Sequence, residues 1–125
     1  MKVEGHIGKI PILVLLDNGV AHNFISPKLV KLLGLAVHQT NVMGVKLGNG
    51  HRIKTQGLCQ PLQLTMGEFS CNIDAHVLEL GGIDLILGIV WLRTLGVVTT
   101  NWGAMTMRFC IGNKDYILRG AGHTC

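Results

Sequence analysis

Apolar positions come in short blocks along this chain, and glycine interrupts nearly every block. Val3–His6 and Lys9–Leu16 read as strands, and the second holds Ile-Pro-Ile-Leu-Val-Leu-Leu, an almost continuous apolar run. A glycine turn joins them, and the continuous run predicts that the second strand is covered on both faces. Ser26 and Pro27 ahead of Lys28–Leu33, with Gly34 behind, supply the N-cap, first-turn and stop signals of a short helix. Val42–Leu47 and Arg52–Gln56 predict a hairpin, since Gly48-Asn49-Gly50 joins them and Asn-Gly suits a tight turn. Leu58–Thr65 and Phe69–Val77 form a further pair around Met66-Gly67. Ile83–Gly88 is an apolar strand that leads into a short helix at Ile89–Leu95, stopped by Gly96. Val97–Thr100, Met105–Ile111 and Tyr116–Leu118 complete the strands, the last two joined through Gly112-Asn113-Lys114. Short strands with two short helices predict an all-β, barrel-like domain.

Composition narrows the picture. A length of 125 residues fits one domain, and 48% hydrophobic against 14% charged residues supplies a core and excludes a disordered chain. The net charge of +4 comes from residues spread between Lys2 and Arg119, with no dense basic run and few aromatics. A nucleic-acid surface would cluster its cations and interleave stacking rings, so no specific nucleic-acid partner is expected. Cys59, Cys71, Cys110 and Cys125 contain no C-x-x-C pair, and the histidines show no zinc-ligand spacing, so no metal site is expected. The apolar runs are too short to span a bilayer, and Met1–Gly8 lacks a secretory pattern. No membrane partner is expected, and reduced thiols in a cytoplasmic setting are the expectation.

The candidate chemistry sits where the buried strand stops. Leu15-Leu16-Asp17-Asn18-Gly19 places a carboxylate and a glycine at the edge of the core. Val20-Ala21-His22-Asn23-Phe24-Ile25-Ser26 then runs into the first helix. The Asn49-Gly50 hairpin follows, and Asp84-Leu85-Ile86-Leu87-Gly88-Ile89-Val90-Trp91-Leu92 comes near the end. This ordered set resembles the retropepsin family of aspartic proteases, most closely the protease domain of plant gypsy-type retrotransposon polyproteins. There the first motif reads Asp-Ser/Thr-Gly-Ala, often continuing into His/Asn-Phe-Ile-Ser, and the last reads Ile/Val-Leu-Gly before a Trp-Leu helix. The resemblance runs from Val3 to Leu118.

It implies a retropepsin-like closed β-barrel over residues 1–119, with 120–125 as a C-terminal tail. It also implies an obligate homodimer acting on a peptide or polyprotein substrate without a cofactor. Asp17 becomes the catalytic carboxylate, with Asn18 and Gly19 beside it in the active loop. The chemistry needs two carboxyls sharing one proton, and one D-x-G motif supplies one, so a symmetric second copy brings the other. Gly48, Asn49, Gly50 and His51 become a flap over bound peptide. Ile86, Leu87 and Gly88 become support behind the loop, with Gly88 permitting close backbone approach. Asp84 is expected to be structural, His22 structural or solvent-facing, and Trp91, Leu92 and Trp102 packing residues. Asn18 departs from the family's Ser or Thr, and Val20 and Ala21 depart too. Two readings follow: an aspartic endopeptidase of retrotransposon origin whose paired Asp17 side chains activate water, or a catalytically weak or inactive dimerisation or peptide-binding module on the same fold.

Overall fold

Pairing of β1 (Lys2–Ile7) with β2 (Ile10–Leu16) founds the fold in the computed structural model, which describes residues 1–40, 43–46, 50 and 52–121. Their antiparallel register runs from Lys2 opposite Leu15 to Ile7 opposite Ile10. Burial alternates along β1, so Val3, Gly5 and Ile7 face inward. The apolar run of β2 behaves less simply than its composition suggests. Ile12, Val14 and Leu16 are buried, while Leu13 and Leu15 on the other face are only partly covered. The Leu16 amide also donates to the Met1 carbonyl at 2.8 Å, which holds β2 to its last residue.

A closed barrel follows in the order β1-β2-β8-β3-β7-β6. β6 (Leu58–Met66) and β7 (Phe69–Val77) form its long hairpin, and the ladder shifts between Cys59 and Leu62, where Pro61 has no amide hydrogen to donate. β8 (Leu85–Leu87) lies parallel to β2, with Leu16 opposite Leu87. β3 (Phe24–Ile25), an element the periodicity does not foretell, wedges between β8 and β7. Val14, Ile25, Leu64, Met66, Leu85 and Leu87 are fully enclosed at the barrel centre.

The helix α1 (Pro27–Leu33) forms as its caps predict: the Leu29 amide donates to Ser26 Oγ at 3.1 Å, and Gly34 ends it in the left-handed conformation. The expected second helix divides into α2 (Ile89–Leu92) and a 3-10 turn, Arg93–Leu95. β9 (Val98–Asn101), β10 (Thr106–Ile111) and β11 (Lys114–Arg119) make a separate sheet in the order β11-β10-β9. Phe109 and Tyr116 of that sheet meet Phe69 edge-on with ring centres 5.1 and 4.9 Å away, and Trp91 joins the same cluster. Trp91 is accordingly buried, as expected. Trp102 is not a packing residue: it is 69% exposed.

β4 (Gly44–Lys46) and β5 (Arg52–Lys54) pair with Val45 opposite Ile53, as the hairpin signal predicts. Of the expected flap residues, Gly48, Asn49 and His51 lie outside the described residues, and Gly50 is exposed. No helix among the described residues is long and apolar enough to cross a membrane.

Candidate active site

Asp17 is the first residue past β2, and two backbone contacts fix where it stands. Its amide donates to the Leu87 carbonyl at 3.0 Å, continuing the β2–β8 ladder by one rung. Its Oδ1 accepts from the Gly19 amide at 2.8 Å, so the carboxylate folds over its own turn. Asn18 and Gly19 occupy the exposed middle of that turn, closed by a long 3.5 Å bond from the Val20 amide to the Asp17 carbonyl. No described residue hydrogen-bonds the Asn18 side-chain amide.

The return path of the loop is clamped from behind. The Ile89 amide donates to the Val20 carbonyl at 2.8 Å, and the Val90 amide to the Ala21 carbonyl at 3.2 Å. These are donors that the first turn of α2 leaves without helical partners. Gly88 makes the clamp possible, because a Cβ there would lie 2.6 Å from the Val20 carbonyl oxygen and nearer still to that of His22. Leu87 contributes the carbonyl under Asp17, and Ile86 pairs with Leu15 on one side and Phe24 on the other. Ile86, Leu87 and Gly88 thus lie against the loop and the strands that flank it.

Asn23 is a site residue that sequence reasoning left without a role. It is 7% exposed; its Oδ1 accepts from the Gly88 amide at 3.0 Å, and its Nδ2 donates to the Asp74 carbonyl at 3.0 Å. One amide therefore ties the loop to β7 and to the start of α2. The available signal was a polar residue directly before the apolar pair Phe24-Ile25, which a buried strand tolerates only when hydrogen-bonded.

Asp84 has a different post. Its Oδ2 accepts from the Leu13 amide at 2.8 Å, and its carbonyl from the Ser26 amide at 3.0 Å. Level with Leu13, it stands four rungs, about 13 Å, along the sheet from Asp17, too far to share a proton within one chain. His22 is exposed and meets His76 edge-on at 5.5 Å. Burial holds the His76 imidazole below its ordinary range, His22 pushes the same way, and Asp74 opposes. Among the described residues, no group of three or more His, Cys, Asp or Glu side chains could hold a metal ion.

Asp17 and Asn18 open onto a cleft of about 640 Å³, whose walls include Leu15, Ile89, Trp102 and Met107. Around it Ile89 and Val98 are exposed. A lone carboxylate thus sits at the rim of a broad apolar surface, with backbone donors arranged behind it.

A family model described as retroviral aspartyl protease matches residues 3–104. Among solved structures, the retroviral protease-like domain of Ddi1 from Leishmania major is similar with a TM-score of 0.68 at 15% identity, covering 95% of this chain and 91% of that one. EIAV protease complexed with the inhibitor HBY-793 is similar with a TM-score of 0.62 at 19% identity, covering 81% of this chain and 92% of that one. No curated protein matches the chain. At these identities the two structures speak to the fold alone.

Proposed function

The chain belongs to the retroviral aspartyl protease family, and from that premise we propose that it is an aspartic endopeptidase in which two copies each contribute Asp17 across a two-fold axis. The observation that carries the reading is the placement of Asp17: a carboxylate at the start of a clamped loop, lining a cleft beside apolar side chains. Two such carboxyls within hydrogen-bonding distance hold one proton between them, because like charges so close cannot both ionise. The ionised one takes a proton from a water molecule, and the protonated one polarises the scissile carbonyl. The titration then belongs to the pair.

The substrate is an extended peptide or polyprotein segment. It pairs through its backbone with strand edges and with a flap formed by the β4–β5 hairpin. The origin we assign is a plant gypsy-type retrotransposon polyprotein, supported by the His22–Ser26 segment and by Trp91-Leu92 after Gly88. A reducing, cytoplasmic compartment agrees with the free thiols of Cys59, Cys71 and Cys110.

The experiment is peptide cleavage at acidic pH by the parent chain and by Asp17→Asn. The reading expects pepstatin-sensitive cleavage that disappears in the variant, and cleavage that persists there overturns it. Asn18 supports a second reading. A hydroxyl at this position is a short donor and acceptor, whereas Asn is longer and planar, and two copies facing each other can push the carboxylates out of line. Cleavage by Asn18→Ser but not by the parent identifies the parent as an inactive peptide-binding dimer.

A further inference from the structure

We propose that the Thr55 hydroxyl is a latch at the root of the β4–β5 hairpin, a positioning group that sets how readily the hairpin swings over a bound peptide. The peptide in this inference rests on the protease reading, while the latch rests on the fold alone. The register of the hairpin shows where the latch sits. Gly44 faces Lys54, Val45 faces Ile53 and Lys46 faces Arg52, so the next rung towards the barrel sets Met43 opposite Thr55. Like the rung at Val45 and Ile53 two residues away, a regular antiparallel rung there would consist of two backbone bonds. One is present: the Thr55 amide donates to the Met43 carbonyl at 3.0 Å. The return bond runs instead from the Met43 amide to Thr55 Oγ1, also at 3.0 Å. The hydroxyl stands in for the Thr55 carbonyl, and the ladder ends on a side chain. Thr55 is only 3% exposed, so water has little access to replace that bond.

The chain behind this rung is fixed to the barrel. The Gln56 amide donates to the Val77 carbonyl and the Val77 amide to the Gly57 carbonyl, both at 2.8 Å. Leu58 and His38 exchange two further backbone bonds of 2.8 Å. Gly57 holds a φ of 124°, and a Cβ there would collide with Val37 Cγ1 and lie 3.0 Å from the His38 carbonyl oxygen. The root therefore has no slack. In front of the rung, β4 and β5 form a two-stranded sheet that pairs with no other described strand, and a hairpin of two strands has little stability of its own. Motion between a pinned root and an unsupported hairpin concentrates where they meet, at Met43 and Thr55.

The consequence falls on peptide capture. Breaking the Met43–Thr55 hydroxyl bond loosens β4 at its base, while the rungs from Gly44 to Lys46 keep the two strands together. The hairpin then moves as one piece. A peptide held under it is bound in proportion to the time the hairpin spends closed, so a weaker latch lowers the apparent affinity.

The test compares the full chain with Thr55→Val, which keeps the shape of the side chain and removes the hydroxyl, and with Thr55→Ser, which keeps the hydroxyl. Amide hydrogen exchange read by mass spectrometry follows peptides spanning residues 43–54 and, separately, β6 and β7. In Thr55→Val the hairpin should exchange roughly fivefold faster, the effect of one neutral hydrogen bond, while β6 and β7 keep the parent's rates. Thr55→Ser should restore the parent's rates in the hairpin. Unchanged hairpin exchange in Thr55→Val overturns the proposal, and so does equal acceleration in β6 and β7, which marks an ordinary loss of stability. Pepstatin binding to the same three chains supplies the second measurement. It should weaken several-fold in Thr55→Val, through faster dissociation, and match the parent in Thr55→Ser. Equal affinity despite faster hairpin exchange overturns the positioning role. A parent that binds no pepstatin counts against the protease reading and the peptide role with it, while the exchange rates still decide the latch.

Discussion

Two residues without reactive chemistry set the position of Asp17. Gly88 lies so close to the Val20 and His22 carbonyls that one methyl group must displace backbone. Its φ of −92° suits any residue, so the obstacle is steric alone. Gly88→Ala should destabilise the fold by about 1–3 kcal/mol, the range for overpacking a close contact, as read by urea denaturation. If the loop yields by about 1 Å, any cleavage should fall by roughly a hundredfold. Asn23→Ala removes the acceptor for the Gly88 amide and the donor to Asp74, and should cost about 1–3 kcal/mol for the orphaned buried donor. Asp17 and Gly88 were legible in the sequence because each lies in a short motif tied to a strand end. Asn23 was not, since its partners are distant in the chain and only the folded barrel brings them together. Trp102 was misread for a related reason: an aromatic residue advertises burial, but composition cannot say whether its own chain or another surface covers it.

At the level of elements, local signals and tertiary pairing divide the fold between them. α1 was legible because Ser26, Pro27 and Gly34 act through bonds within a few residues, and the hairpins were legible because glycine turns are equally local. β3 carries two residues and owes its existence to β7 and β8, so no periodicity could announce it. The same junction holds the His22–His76 contact and governs a pH dependence. The folded chain resists protonating His76, chiefly through burial, while the unfolded chain accepts that proton near the ordinary histidine value of about 6.5. The unfolded state therefore binds more protons as pH falls below that value, and stability drops until the folded imidazole protonates as well. His76→Gln should flatten this part of the profile, as seen in thermal midpoints between about pH 7 and pH 5. A midpoint curve identical to the parent's would remove His76 as the cause. An acid-dependent protease on this scaffold would thus work where one of its own barrel contacts weakens.

At the scale of the whole molecule, the proposed pairing of two Asp17 carboxyls requires a surface on which a second copy can dock. The proposed second copy was argued from one D-x-G motif, but no surface for it could be read from the sequence. The candidate surface joins the end of β2 to α2 and the turn after β9, which lie more than seventy residues further along the chain. Trp102, Ile89 and Val98 expose apolar area around the cleft that Asp17 enters, and aromatic anchors of this kind carry much of the energy in protein interfaces. Because Trp102 is 69% exposed, Trp102→Ser should leave the monomer fold within about 0.5 kcal/mol of the parent. If the ring is buried at the two-fold contact, its loss should cost about 2 kcal/mol or more, which is roughly a thirtyfold weaker dimer. Sedimentation equilibrium gives that difference directly. Cleavage by the variant should then be lost at low protein concentration and return as concentration rises, since both Asp17 carboxyls survive and only their meeting is impaired. Equal dimer affinity in parent and variant would place the two-fold contact elsewhere on the molecule and leave the exposed ring for another partner.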